Sequence, residues 1–311
     1  MIYALLIIAG IILVIVVLLV REMRIFRVTD YVFPSPKVVG EGFKIAVLSD
    51  LHGKIYGQDN DVLYDAIDKA DPDIIICSGD MLTARWEYTF EGHFEYGPDS
   101  EKVFISGNEP YEKMIRLLTR LARKYPVYYG NGNHESRLYR RKEKFGDSYE
   151  NLQAALKEAG VISLVDSHVD IDVKGNPVTV YGLDIERPYY KRVEKVVMEP
   201  GYITGKLGDP SDSGDSIKLL IAHNPDYFDA YMKWGADLAF AGHLHGGVMR
   251  LPGIGGVISP QFHLFPKYSG GMYYRDGRAL MVSKGIGTHS VNIRIFNRAE
   301  VVIVHVERTA N

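Results

Sequence analysis

The sequence predicts a layered α/β domain in which two packed β-sheets carry helices on their outer faces. The 311 residues are 46% hydrophobic and 24% charged, which suffices for a large core. Short apolar strands alternate with amphipathic helices in the first half of the chain, and strands predominate in the second half. Alternation followed by a run of strands is typical of two sheets that pack together with helices outside.

An uncharged apolar run from Ile2 to Val20 precedes this domain. As a helix, a run of this length crosses the roughly 30 Å hydrocarbon layer of a bilayer. A cleaved signal peptide is the alternative, but it would need a basic segment before the run and a small-residue cleavage site after it. Neither is present, so we expect residues 1–21 to form a transmembrane anchor.

The charges around the run bear on its orientation. Arg21, Arg24 and Arg27 follow the run, and no Lys or Arg precedes it. The positive-inside rule then favours a single-pass protein of the cell membrane whose C-terminal bulk lies in the cytoplasm. An outward-facing domain is the alternative, because a short N-terminus gives a weak bias.

Residues 22–42 are expected to form a juxtamembrane segment that contains the first strand. The stretch 24–33 is rich in aromatic and β-branched residues and partly alternates, as strands do. The turn residues PSPK follow it. The main domain is expected to cover residues 43–311.

Strands and helices alternate from residue 43 onward. We predict a helix at 61–70, because apolar residues recur there at three-to-four spacing, and further helices at 111–124 and 149–160. Buried strands are predicted at 43–50, 73–80 and 127–135. The later predicted strands are 161–165, 168–173, 179–185, 217–223, 237–245, 279–285 and 301–307.

Side chains that can bind metals follow five of these strands. In α/β sheets, sites form beyond the carboxyl ends of strands, so we expect these side chains to converge. Because residues i and i+2 of a strand share a side, Asp50 should lie beside His52, and His243 beside His245. Oxygen and imidazole donors suit Mn, Fe, Zn or Mg. The candidates are Asp50, His52, Asp80, Asn133, His134, His223, His243 and His245.

Each fragment alone also has a purely structural explanation. An Asp two residues before a His arises often by chance, a GD pair after a strand is often a turn, and one GHxH can be a surface pair. The metal interpretation depends on their combination, each fragment after an apolar strand. The fragments are, in order, SDLH (49–52), SGD (78–80), GNHE (132–135), AHNP (222–225) and GHLH (242–245).

These five motifs resemble those of the calcineurin-like metallophosphoesterases. The stretches 250–271 and 285–300 further resemble the membrane-associated bacterial phosphodiesterase branch of that family. The resemblance implies a four-layer αββα sandwich and a centre of two divalent metal ions, with Mn preferred and Fe, Zn or Mg as alternatives.

The resemblance also implies a role for each motif residue. His134 would be the catalytic residue, placed over the reacting phosphoryl group to stabilise its charge or to protonate the leaving oxygen. Seven side chains would hold the metals: Asp50, His52 and His245 the first, Asn133, His223 and His243 the second, and Asp80 both.

Hydrolysis of phosphodiester or pyrophosphate bonds is the expected function. Two metals about 3.5–4 Å apart lower the pKa of a bridging water, and the hydroxide attacks phosphorus without a protein nucleophile. The anchor and the apolar loop 251–265 suggest a lipid-linked substrate. The alternatives are a phosphomonoesterase or protein phosphatase, and a metal-binding scaffold without activity.

Composition limits the partners and the redox chemistry. The net charge is −3 and no basic stripe with interleaved aromatic residues is visible, so no nucleic-acid partner is expected. The single cysteine, Cys77, excludes an intrachain disulfide and is expected in the core.

Two segments depart from a minimal family core and follow strands whose carboxyl ends should form the site. They are 85–110, which is aromatic and acidic, and 188–216, which is rich in glycine and serine near its end. Each is expected either to cap the site or to be surface decoration. His263 and His289 are further candidates for lining the pocket, and other substrate-binding residues are not predicted.

Overall fold

The computed structural model describes residues 2–85, 87, 89–97, 102–191, 196–247, 249–251, 253–259, 263–288 and 293–309. In the N-terminal helix, the side chains of residues 2, 4–6, 8, 11, 14, 15 and 18 are not among those described.

The described residues contain every predicted helix and strand, together with four further helices and five further strands. The helices are α1 (Ile2–Arg24), α2 (Asp61–Ala70), α3 (Glu109–Ala122), α4 (Asn133–Arg140), α5 (Lys142–Phe145), α6 (Ser148–Glu158), α7 (Tyr202–Leu207) and α8 (Phe228–Trp234). The strands are β1 (Phe26–Ser35), β2 (Phe43–Leu48), β3 (Ile74–Cys77), β4 (His93–Tyr96), β5 (Lys102–Ile105), β6 (Val127–Gly130), β7 (Ile162–Leu164), β8 (Ser167–Val173), β9 (Asn176–Gly182), β10 (Ile217–Ile221), β11 (Leu238–Ala241), β12 (Met249–Leu251), β13 (Gly255–Ile258), β14 (Gly271–Arg275), β15 (Arg278–Val282) and β16 (Ala299–Arg308).

Two six-stranded sheets form the centre of the fold. The first has the order β1-β16-β2-β3-β6-β7, and the second has the order β14-β15-β11-β10-β9-β8. Strands β2, β3 and β6 are parallel neighbours, as are β9, β10 and β11. Parallel strands bring their carboxyl ends to one edge of a sheet, which is where ligands bind in such folds.

Three apolar layers hold the sheets and helices together. The middle layer lies between the sheets and includes Ile45, Ile76, Leu219 and Val304. A second layer joins the outer face of the first sheet to α2, α3 and α6, and a third joins the second sheet to α7 and α8. The expected order of layers, αββα, is therefore confirmed. Cys77 is buried in the second of these layers, as predicted.

Local signals set several element boundaries. Helix α2 has the predicted bounds. Helix α3 begins two residues earlier than predicted, because the side chain of Asn108 accepts the Tyr111 N–H and Pro110 favours the first helical turn. Strand β1 is the expected first strand, and it pairs in parallel with β16 at the edge of the first sheet.

The N-terminal apolar run forms the helix α1, as expected. Within the described part of the chain, however, no helix qualifies by length and apolar character as one that could cross a membrane.

Candidate metal centre

The eight candidate residues lie together in the loops, and at the start of α4, that follow β2, β3, β6, β10 and β11. The predicted reason for two pairings is wrong: β2 ends at Leu48 and β11 at Ala241, so strand alternation does not orient the side chains. Instead, five candidates have left-handed backbone, with φ between 49° and 70°: Asp50, His52, Asp80, His243 and His245. This region is costly for residues other than glycine, and such conformations concentrate at functional sites.

Asp50, His52 and His245 form the first group of ligand atoms. The two Nε2 atoms of His52 and His245 lie 3.2 Å apart, and Oδ1 of Asp50 lies 3.7 Å and 3.4 Å from them. Two ligands at about 2.1 Å from one ion are about 3.0–3.4 Å apart. The separations of 3.2 Å and 3.4 Å fit a single metal, and the third, 3.7 Å, is slightly longer.

Asp80, His223 and His243 form the second group, with their ligand atoms within 4.8 Å of one another. Oδ2 of Asp80 lies 3.1 Å from Nε2 of His223. Oδ1 of Asn133 is buried and has no hydrogen-bond partner among the described residues. A buried carbonyl oxygen without a partner is costly, and a metal ion would satisfy it.

Asp80 lies between the two groups. Its Oδ2 is 3.9 Å from Nε2 of His52 as well as 3.1 Å from Nε2 of His223. Its Oδ1 accepts the backbone N–H of His134 at 2.8 Å. One carboxylate therefore faces both groups while its second oxygen is held by the chain. The donor set thus fits two divalent metal ions, as the predicted ligand assignment requires.

Hydrogen bonds set two histidines in opposite tautomers. Nδ1 of His223 is 2.7 Å from the carbonyl oxygen of Ser78, so neutral His223 carries its proton on Nδ1 and has its lone pair on Nε2. Nδ1 of His134 accepts the N–H of Ala84 at 3.1 Å, so neutral His134 carries its proton on Nε2. The first arrangement suits a metal ligand and the second suits a hydrogen-bond donor.

The buried charges shift one another's pKa. Burial disfavours the ionised carboxylates, but the surrounding histidines outweigh it and hold the pKa of Asp50 and Asp80 well below the usual range. For His223, burial lowers the pKa, yet the Asp80 and Asp50 carboxylates prevail and raise it to about 10. A metal would therefore replace a proton at this imidazole.

Glu135, quoted in the GNHE motif but given no role above, holds the loop that carries Asp80. One oxygen accepts the N–H groups of Asp80 and Gly132, and the other accepts the Met81 N–H and the Tyr129 hydroxyl. Burial and the nearby Asp80 raise the pKa of Glu135. Its position one residue after the catalytic candidate was the available sequence signal.

Two glycines allow the loops to meet. A Cβ at Gly242 would lie 2.0 Å from Oγ of Ser49 and 2.1 Å from Oδ2 of Asp50. A Cβ at Gly132 would lie 2.2 Å from Oδ1 of Asp80. Both positions require glycine because of close approach.

A cleft of about 1140 Å³ opens above the centre. Its wall carries seven cationic side chains against two acidic ones, although the whole chain is acidic. The cations are Arg85, Arg137, Arg140, Arg141, Lys144, Arg187 and Lys191. These cations were not predicted from the sequence; the available signal was the spacing of the basic residues in 137–144.

The two inserted segments contribute to this cleft through their first residues. Arg85 and Glu87 belong to the first segment, and Pro188, Tyr190 and Lys191 belong to the second. The Tyr190 ring packs at 4.9 Å against the His243 ring. His263 is not among the lining residues, and His289 lies outside the described residues.

The chain is similar to known proteins along most of its length. The chain is 25% identical to the uncharacterized metallophosphoesterase YkoQ of Bacillus subtilis, over 82% of this chain and 80% of that protein. It is 24% identical to the phosphodiesterase YaeI of Escherichia coli, over 84% and 81%. Among solved structures, the phosphopantetheinyl hydrolase of Mycobacterium tuberculosis is similar at a TM-score of 0.41 and 14% identity, covering 82% of this chain and 96% of that one.

A family model also matches the chain. Residues 43–247 match the model of the calcineurin-like phosphoesterase family, and this range contains all five motifs. The chain therefore belongs to the calcineurin-like phosphoesterase family and is a metal-dependent hydrolase of phosphoric esters.

Proposed function

We propose that this protein is a two-metal phosphodiesterase that hydrolyses phosphodiester or pyrophosphate bonds. The observation that carries the proposal is the position of Asp80, whose Oδ2 faces both groups of ligand atoms. We assign Asp50, His52 and His245 to one metal, Asn133, His223 and His243 to the other, and Asp80 to both. Mn is the expected metal, with Fe, Zn or Mg as alternatives.

Bound metals supply an activated water and neutralise the charge of the phosphoryl oxygens. The chain itself supplies position and a proton. Because the Ala84 N–H occupies Nδ1 of His134, the proton on Nε2 is available to a phosphoryl or leaving-group oxygen. The bond from Asp80 to the His134 backbone N–H ties this donor to the metal ligands.

The test compares diester and monoester hydrolysis. The full-length protein in detergent is stripped of metal, reloaded with Mn²⁺, and assayed on bis(p-nitrophenyl) phosphate and p-nitrophenyl phosphate. Preference for the diester supports the proposal. Preference for the monoester supports the alternative, a phosphomonoesterase or protein phosphatase. No turnover of either ester with two metals bound would contradict the proposal and support a scaffold.

We further propose that α1 anchors the catalytic domain to the cytoplasmic face of the cell membrane. The uncharged run Ile2–Val20 supports this, since the described side chains of Tyr3, Ile7 and Leu13 are 79%, 63% and 63% exposed. The test is sedimentation of the full-length chain with membranes, compared with a chain beginning at residue 22. Recovery of the full-length chain in the supernatant would contradict the anchor.

A lipid-linked substrate is a more specific version of the proposed phosphodiesterase function. The loop that was expected to contact lipid exposes Leu251, Ile254, Leu264 and Phe265 to 37%, 63%, 67% and 59%. Large apolar side chains exposed together mark interaction surfaces. Activity confined to water-soluble diesters and insensitive to detergent would count against a lipid-linked substrate.

A further inference from the structure

The cleft above the metal centre concentrates positive charge that the metal chemistry does not require. The ligand set already contains what is needed to bind one phosphoryl group. The seven Lys and Arg residues of the wall lie beyond it, in a chain whose net charge is −3. A cleft lined by one sign of charge attracts ligands of the opposite sign.

One wall of the cleft is a basic face of α4 and α5. Arg137, Arg140, Arg141 and Lys144 follow one another at helical spacing, and α4 begins at Asn133 in the metal centre. At about 1.5 Å per residue, Arg137 and Arg140 lie roughly 6 Å and 10 Å along α4 from Asn133. Side chains of a helix lean towards its N-terminus, so those on α4 lean towards the centre.

The cations of this wall differ in their partners. Arg140 is fixed by Asp184, at 3.0 Å, and by the Tyr139 hydroxyl. Arg141 has Glu143 at 3.4 Å. By contrast, the side chains of Lys144, Arg85 and Arg187, which also line the cleft, have no ion pair or hydrogen bond with any described residue. Among the described residues, three exposed cations of the cleft therefore have no partner.

We propose that the cleft binds a second phosphate of the substrate, in addition to the phosphate that is cleaved. Guanidinium and ammonium groups bind phosphate oxygens by charge-assisted hydrogen bonds. A single Arg side chain can donate two parallel bonds to one phosphate. Arg187 and Lys144, which both line the cleft, are the specificity residues. The inference rests on the proposed function. It narrows the substrate class to molecules that carry a second phosphate group besides the one that is cleaved, and it specifies no apolar group.

The experiment uses two diesters that differ only by one phosphate. They are thymidine 5′-(p-nitrophenyl phosphate) and its 3′-phosphorylated form, assayed with the full-length Mn²⁺-loaded protein. In both, water adds to the 5′ phosphorus, the bond to the aryl oxygen breaks, and nitrophenolate leaves. We expect kcat/KM to be about tenfold or more higher for the 3′-phosphorylated diester, mainly through KM.

Variants separate a specific subsite from general attraction. The Arg187→Gln/Lys144→Gln double variant should lower that preference at least about fivefold. The matched control is Lys157→Gln/Lys233→Gln, which removes two exposed cations from α6 and α8, away from the cleft, and should keep the preference. Raising the salt from about 0.05 M to about 0.5 M should also reduce the preference, through screening.

The outcomes distinguish this inference from the proposed function. Equal kcat/KM for both diesters, or an unchanged preference in the cleft variant, would overturn the second-phosphate site while leaving the phosphodiesterase intact. An equal loss of preference in the control variant would also overturn it, because the effect would then come from net charge. If neither diester nor bis(p-nitrophenyl) phosphate is hydrolysed, the proposed function itself fails.

Discussion

At the scale of single residues, Asp80 has a carboxylate oxygen that faces both groups of ligand atoms. Asp80→Asn keeps the shape of the side chain but removes the charge that a bridge between two cations needs. We expect turnover to be abolished and the metal content to fall. Initial rates and metal analysis of the purified variant check this, with the exposed Asp212→Asn as the control. Retention of more than about a tenth of the wild-type rate would contradict the bridging assignment.

Protonation of His223 predicts how metal binding depends on pH. Its pKa of about 10 in the metal-free protein means that a metal must displace a proton at neutral pH. The apparent affinity for Mn²⁺ should therefore rise with pH between about 6 and 8, by up to about tenfold per unit. Asp50 and Asp80 stay ionised in this range because their pKa values are lowered.

Calorimetric titration with Mn²⁺ in buffers of different ionisation enthalpy counts the released protons. The folding stability of the metal-free protein changes with pH in the opposite direction to its affinity for Mn²⁺. The raised pKa of His223 stabilises the metal-free fold fully below about pH 6.5, and this contribution is lost as the pH rises towards 10. His168→Gln is the control, since that ring packs on Tyr181 outside the centre. Metal binding without proton release would contradict the prediction.

At the scale of elements, the loop after β11 and the loop after β2 approach each other without a side chain between them. Gly242→Ala would place a Cβ 2.0 Å from Oγ of Ser49 and 2.1 Å from Oδ2 of Asp50, so the two loops must separate. We expect a loss of at least about tenfold in activity and about 1–3 kcal/mol in the free energy of unfolding.

Metal content, initial rates and denaturant unfolding measure these effects. Gly205→Ala is the matched control, because a Cβ there has no atom within 4 Å and the residue lies in α7. It should leave the activity unchanged and stabilise the protein slightly, by about 0.4–1 kcal/mol. Normal metal content in the Gly242 variant would show that the loops can separate without disturbing Asp50.

Elements and motifs were predictable where one local signal dominated. The 3.6-residue apolar pattern gave α2 its bounds, and the apolar runs located β2, β3 and β10. The orientation of the ligands was not predictable, since it depends on left-handed loop residues and on glycine contacts between loops. The role of Glu135 likewise depends on five donor groups that only the folded chain brings together.

At the scale of the whole molecule, charge was the property that composition concealed. A net charge of −3 gives no sign of a basic cleft, because acidic residues elsewhere balance the cations in the sum. The order of the strands in each sheet also could not be predicted from the local sequence pattern. Strand β16, at the end of the chain, lies between β1 and β2, a long-range pairing that local periodicity does not specify.

The metal centre joins the two sheets, and this predicts that metal removal destabilises the whole domain. Asp50, Asp80 and Asn133 follow strands of the first sheet, whereas His223 and His243 follow strands of the second. Ions that bind the folded state alone stabilise it by about 2.7 kcal/mol each at a hundredfold excess over Kd. Chelation should therefore lower Tm by at least about 4 °C, and excess Mn²⁺ should restore it.

Calorimetry of the Mn²⁺-loaded and chelated full-length protein measures this difference. Because the proposed ligands of the ions come from both sheets, hydrogen exchange should increase on chelation at the carboxyl ends of β2 and β3 in one sheet and of β10 and β11 in the other. Asp80→Asn should lose most of the Tm shift, since it faces both groups of ligands. Faster exchange in one sheet alone would mean that the ions are held within a single sheet, which the ligand groups described above do not allow.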